Sequence, residues 1–176
     1  MDEIVVIYYS RTGVTLTAAL QVANVLGCPK GEIADAVPRV GAFGDLRCVV
    51  DTLFQRKVEY RYSGPPVATV RSVIVMAPVW MGRLAAPMRS FLEDAKTLPR
   101  HVAAATIMAR GGGLQAAQDI SDAIGREPYP VLTLVEQDIL SGAAHAEIRR
   151  FADACAGVCP DLDRANRPAW LSPHEA

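Results

Sequence analysis

The sequence predicts a three-layer α/β fold built on a doubly wound, five-stranded parallel sheet. Three observations carry that expectation. Four uninterrupted apolar runs of strand length recur along the chain: Ile4-Val5-Val6-Ile7-Tyr8-Tyr9, Ser72-Val73-Ile74-Val75-Met76-Ala77, residues 102–109, and Val131-Leu132-Thr133-Leu134-Val135. Continuous rather than alternating hydrophobicity means that both faces of a strand are covered, as in a parallel sheet. Between the runs the apolar period lengthens to that of a helix. Strands alternating with helices through right-handed crossovers place helices on both faces of one sheet.

The elements follow in order. After the first run, Leu16, Ala19, Leu20, Ala23 and Leu26 form a helical stripe that Gly27 terminates. A short second strand is expected at residues 31–34, and residues 41–54 read as a helix with Leu46, Val49, Val50 and Leu53 inward. The 72–77 run is the third strand. Leu84, Met88, Phe91, Leu92 and Ala95 mark the next helix, which should begin near Pro87, because proline is tolerated in a first turn. The fourth strand precedes a helix carrying Leu114, Ala117, Ile120 and Ile124, stopped by Gly125. The fifth runs without a long insertion into a helix with Ile148, Phe151, Ala152 and Cys155 on one face. The expected strand order is 2-1-3-4-5. Residues 1–159 form one domain, and residues 160–176, with Pro160, Pro168 and Pro173, read as a surface tail.

Composition bounds the function. The 176 residues are 51% hydrophobic and 21% charged, a foldable single domain rather than a disordered chain. A net charge of −1 gives no field that would favour nucleic acid or an anionic membrane surface. No apolar run reaches the roughly 20 residues of a membrane span. Asp2 and Glu3 precede the first strand where a signal peptide would be basic, so a cytoplasmic protein is expected. Cys28, Cys48, Cys155 and Cys159 form no CxxC pair, and His101, His145 and His174 have no ligand-like neighbours, so no metal site is expected. Asp51, Glu93, Asp94 and Asp119 read as helix-surface charges, and no side chain reads as an acid, base or nucleophile.

In an open parallel sheet, ligands bind at the carboxyl ends of strands, where the winding reverses. The loop after the first strand reads Ser10-Arg11-Thr12-Gly13-Val14-Thr15, immediately before a helix. Three hydroxyls, one glycine and the amide groups of a helix start converge there, a socket for a phosphate monoester. Hydrogen bonds to a charged group contribute about 1.5–3 kcal/mol each, against about 0.3–1 kcal/mol for the helix dipole, so hydroxyls and amides form the grip. The alternative is an ordinary Ser/Thr-rich helix cap. GxxxxGK[ST], GxGxxG and GxSxG are all absent from this position. The third strand ends in Pro78-Val79-Trp80-Met81-Gly82-Arg83, where Trp80 offers a stacking surface for a flat heteroaromatic or packs on a helix. The fourth ends in Arg110-Gly111-Gly112-Gly113, whose bare backbone can lie along the edge of a ring or form a plain turn. The three loops open on one edge of the expected sheet.

These residues resemble the flavodoxin-like family of FMN-binding proteins. The family's phosphate pattern, [ST]-x-T-G-x-T after the first strand, is matched by Ser10, Thr12, Gly13 and Thr15. Residues 73–83, with Pro87 and Phe91-Leu92 behind them, are similar to its third strand, flavin loop and third helix. The resemblance spans roughly residues 3–158 and is that of the short-chain form. It implies that Ser10, Arg11, Thr12, Gly13, Val14 and Thr15 hold the FMN phosphate. It implies that Pro78, Val79, Trp80, Met81 and Gly82 line one side of the isoalloxazine, with Arg110, Gly111, Gly112 and Gly113 at the other edge. The implied activity is an FMN-dependent oxidoreductase, with NAD(P)H and a quinone-like acceptor as partners. The alternatives are an electron carrier docking a redox partner protein and a module that has lost the cofactor. Free flavodoxins are usually strongly acidic and this chain is nearly neutral. Arg11, Arg83 and Arg110 would add positive charge near the ring and favour its anionic reduced form.

Overall fold

The computed structural model describes residues 4–36, 51–52, 56–95 and 98–157. Most of the helix expected over residues 41–54, and the whole tail 160–176, lie outside the described residues. In chain order the elements are β1 (Ile4–Tyr9), α1 (Val14–Leu26), β2 (Lys30–Asp35), β3 (Tyr60–Ser63), β4 (Ser72–Trp80), β5 (Arg83–Leu84), α2 (Ala86–Asp94), β6 (His101–Met108), α3 (Gly113–Ile124), β7 (Val131–Val135), α4 (Glu136–Ser141) and α5 (His145–Gly157).

The five strands legible in sequence run parallel as neighbours in the order β2-β1-β4-β6-β7. Val6 lies opposite Lys30 on one side and Ile74 on the other, Ile74 opposite Ala103, and Ala104 opposite Val131. The sheet is nonetheless seven-stranded and mixed, which corrects the expected count of five. β3 pairs antiparallel with β2 at the edge, and the two-residue β5 folds back on the end of β4. Neither shows as a continuous apolar run: Tyr60-Arg61-Tyr62 alternates, as in a strand covered on one face, and β5 is only two residues long. Leu84, expected in the helix stripe, belongs to β5.

Successive strand residues point to opposite faces, and two cores result. Val6, Tyr8, Ile74, Met76, Ala105 and Leu134 pack beneath α1 and α5, while Val5, Ile7, Tyr9, Val73, Val75 and Ala104 pack beneath α2 and α3. On α1 the buried face is Val14, Thr15, Ala18, Ala19, Val22 and Ala23, and Leu20 is 37% exposed. Of the expected stripe, Ala19 and Ala23 are buried, Leu16 and Leu26 pack partly buried against the core, and only Leu20 turns outward. On α5 the expected Ile148, Phe151, Ala152 and Cys155 are the buried set. Phe151 is fully buried. Phe151→Ala should lower unfolding free energy by about 3–5 kcal/mol, measurable by urea denaturation. Burial pushes the Cys155 thiol above its ordinary range, so it is an inert core residue. Among the described residues no His, Cys, Asp and Glu cluster could hold a metal ion, and no helix is long and apolar enough to cross a membrane.

Because β1, β2, β4, β6 and β7 are parallel, their carboxyl ends share one edge, and the loops leaving β1, β4 and β6 meet there.

Candidate functional site

The loop after β1 is closed by its own hydroxyls. Gly13 caps α1 with φ 91°, a left-handed conformation that glycine adopts without strain. A Cβ there would touch nothing within 4 Å, so the requirement is conformational and not one of space. The Gly13 N–H donates to Ser10 Oγ at 3.2 Å, and its carbonyl accepts from the Thr17 N–H at 2.9 Å and from Thr17 Oγ1 at 3.0 Å. Ser10 therefore braces the turn. Among the described residues no side chain caps α1, so the first amide groups of the helix are left for solvent or a ligand.

The end of β4 forms a hairpin with β5. Val79 pairs with Leu84 and Trp80 with Arg83, leaving Met81 and Gly82 as a two-residue turn. Both have positive φ, 50° and 76°, the pattern of the tight hairpin turn whose twist matches that of its strands. Met81 is 66% exposed at the tip. Methionine carries strain at this φ, so Met81→Gly should raise stability by up to about 1 kcal/mol, read from the denaturation midpoint. Trp80 stands edge-on to Tyr9, with ring centroids 5.6 Å apart and planes at 78°. The Tyr9 hydroxyl in turn donates to Asp35 Oδ2 at 2.9 Å.

Asp119 on α3 anchors this hairpin. It is a buried carboxylate, not the helix-surface charge expected from sequence. Its Oδ2 accepts the Leu84 N–H at 2.9 Å and its Oδ1 faces the Arg83 guanidinium at 3.0 Å. One side chain thus satisfies a buried backbone donor and neutralises the arginine beside it. Asp51 is likewise buried. Glu93 and Asp94 are partly exposed on α2, each facing a basic side chain (Arg89 and Lys57).

The glycines after β6 support the same hairpin. A Cβ on Gly112, whose φ is 88°, would sit 2.4 Å from the Gly82 Cα, and one on Gly113 would sit 2.8 Å from the Thr133 side chain. Thr106 Oγ1 donates to the Gly113 carbonyl at 3.1 Å inside the protein. Gly112→Ala therefore introduces both backbone strain and a clash against backbone, and should destabilise by about 1–3 kcal/mol in urea denaturation.

A cleft of about 380 Å³ opens between these loops, within the range of small-molecule sites. Arg11, Thr12, Val14 and Thr15 line it from the β1–α1 loop and the start of α1, Pro78, Val79, Trp80 and Met81 from the end of β4 and its turn, Ile107 and Ala109 from the end of β6, and Glu136 from the start of α4. Eight sequence-predicted residues are thus gathered around one space. Ser10, Gly13, Gly82, Arg110, Gly111, Gly112 and Gly113 are not among its lining residues; the geometry gives Ser10, Gly13, Gly82, Gly112 and Gly113 bracing or packing contacts, and Arg110 and Gly111 are exposed. The expected concentration of three arginines also changes. Arg83 is held by Asp119 and Arg110 is not in the wall, so the charge at the cleft is Arg11 with Glu136. Sequence reasoning missed Ile107, Ala109 and Glu136. Each lies at or just past the carboxyl end of a strand, the position that the topology of an open sheet marks for ligands.

No family model and no curated protein matches the chain. Solved structures do. A flavoprotein from Lactobacillus acidophilus, in complex with FMN, has TM-score 0.63 and 15% identity over 81% of this chain and 99% of its own. A WrbA-like flavodoxin from Agrobacterium tumefaciens has TM-score 0.52 and 16% identity, covering 89% of this chain and 98% of that one. A Fusobacterium nucleatum flavodoxin bound to flavin mononucleotide has TM-score 0.54 and 11% identity over 93% and 100%. At such identities the likeness speaks for architecture alone, and with the parallel core, the strand order and the cleft at the carboxyl edge it leads to one conclusion: the chain has the flavodoxin-like fold.

Proposed function

We propose that this chain binds FMN in the cleft between the β1–α1 loop and the β4–β5 hairpin and acts as an oxidoreductase. Its donor would be NAD(P)H and its acceptor a quinone-like compound. The observation that carries the reading is the polarity of the cleft. Thr12 and Thr15 come to it from the loop before α1 and the uncapped start of that helix, and an aromatic and apolar wall comes from the β4–β5 hairpin. FMN has the same asymmetry, a phosphate at one end and a flat ring system at the other. Two of the similar solved structures hold FMN, which supports the choice of ligand.

Each group has a role in this reading. Thr12, Thr15 and the α1 amides bind the phosphate, with Ser10 and Gly13 keeping the turn in shape. Trp80, Val79 and Pro78 flank the ring and exclude water from one side, while Met81 at the rim leaves an apolar edge open to a reactant. Bound flavin supplies the hydride and electron chemistry, and the protein supplies placement and electrostatics. No side chain in the cleft is assigned as a catalytic acid or base.

The experiment is the absorbance spectrum of the purified protein with and without added FMN, followed by NADH and NADPH oxidation over a panel of quinones. Flavin absorbance with quinone-dependent oxidation is the expected result. A flavin-bound protein that leaves both nicotinamides unconsumed would be an electron carrier. A colourless protein without measurable FMN affinity would overturn the assignment.

A further inference from the structure

We infer that Glu136 is a specificity-determining residue, a carboxylate that occupies the phosphate end of the cleft and sets how strongly the site prefers FMN over flavins without a phosphate. The inference rests on the FMN reading and deepens it.

Glu136 follows β7 directly and is the first residue of α4. It lines the same cleft as Arg11, Thr12 and Thr15, and it is the carboxylate among the lining residues described. The Thr12 hydroxyl and Glu136 Oε1 approach to 3.5 Å, longer than an ordinary O–H···O hydrogen bond, and so bring together two loops 124 residues apart in the chain. Helix polarity accounts for an acid in a first turn, where Asp138 also lies. It does not account for an acid that reaches across to the hydroxyl of the β1–α1 loop.

Two consequences follow from elementary chemistry. A threonine hydroxyl has one proton to donate. A carboxylate within 3.5 Å of that hydroxyl competes with an incoming phosphate oxygen for the proton. An approaching phosphate dianion also meets a like charge, with Arg11 in the same wall as the opposing one. Riboflavin shares the ring and the ribityl chain but has no phosphate, so it meets neither penalty. Glu136 therefore lowers affinity for the phosphorylated ligand selectively.

The test measures FMN, riboflavin and inorganic phosphate binding by calorimetry to wild type, Glu136→Gln, Thr12→Val and the double variant. Thermal melting verifies that each is folded. Glu136→Gln should bind FMN about tenfold more tightly and riboflavin within twofold of wild type, and should tighten inorganic phosphate as well. In the Thr12→Val background most of the gain should remain, because glutamine removes the charge while keeping a hydrogen-bond acceptor. Equal weakening of FMN and riboflavin would mean that Glu136 accepts a hydrogen bond from the ribityl chain they share, and would overturn the inference. So would unchanged affinity for both while wild type binds FMN, a result that leaves the FMN reading standing. Failure of every form to bind either flavin, with phosphate binding still strengthened in Glu136→Gln, would sink the FMN reading and leave Glu136 as the gate of an anion socket.

Discussion

Replacing Thr12 and Thr15 together by valine is expected to weaken FMN binding by about a hundredfold or more while leaving riboflavin within a few-fold. Valine keeps the shape of threonine and removes the hydroxyl, so the change isolates the donors. Each hydrogen bond to a charged oxygen contributes about 1.5–3 kcal/mol, and two together exceed the 2.7 kcal/mol or so that a hundredfold represents. Thr15 is buried on the cleft side of α1 and Thr12 is exposed at its rim, so Thr15 should account for the larger share. Fluorescence quenching of each flavin on titration with protein gives both constants. Equal losses for the two ligands would remove the phosphate from this end of the cleft.

The second large effect is expected at Asp119. Asp119→Ala strands the buried Leu84 N–H and deprives Arg83 of its partner, and should cost about 3 kcal/mol of stability. Asp119→Asn retains one carbonyl oxygen for Leu84 and should cost less. In Asp119→Ala the β4–β5 hairpin loses its anchor to α3, and the wall carrying Trp80 and Met81 is no longer fixed. Affinity for lumiflavin, which is the ring without ribityl chain or phosphate, should fall about tenfold in Asp119→Ala. The ratio of FMN to riboflavin affinity should stay at the wild-type value, because the phosphate end is untouched. Hydrogen exchange at the Leu84 amide reports the loosening independently of any flavin. A variant that loses stability yet keeps wild-type lumiflavin affinity and a protected Leu84 amide would show that the hairpin is placed by the Gly112–Gly82 contact alone.

The two predictions address opposite ends of the cleft, and they draw on features of different visibility. The loop proposed to hold the phosphate was legible because its chemistry is local. Ser10, Thr12, Gly13 and Thr15 lie within six residues, and the left-handed turn and helix start that arrange them are encoded in the same six. The parallel core was legible for a related reason. Strands buried on both faces must be apolar at every position, and β1, β4, β6 and β7 announce themselves in that way. Trp80 was visible as a large aromatic on a loop bounded by proline and glycine, although its packing on Tyr9 was not.

What the amino-acid order determined by itself was the alternation of strands and helices, the parallel core of the sheet and the glycine turn that opens α1. These depend on periodicity and on neighbours in the chain. Tertiary structure alone decided the rest. Tyr60-Arg61-Tyr62 became an edge strand because β2 had an open side for it. Asp119 became a buried anchor because α3 lies over the hairpin, where a carboxylate finds both an amide and a guanidinium. Glu136 entered the cleft because β7 ends on the edge that β1 also faces, bringing it to Thr12 from 124 residues away. In all three the deciding partner comes from a distant part of the chain, and for Asp119 it is what offsets the cost of taking a carboxylate out of water.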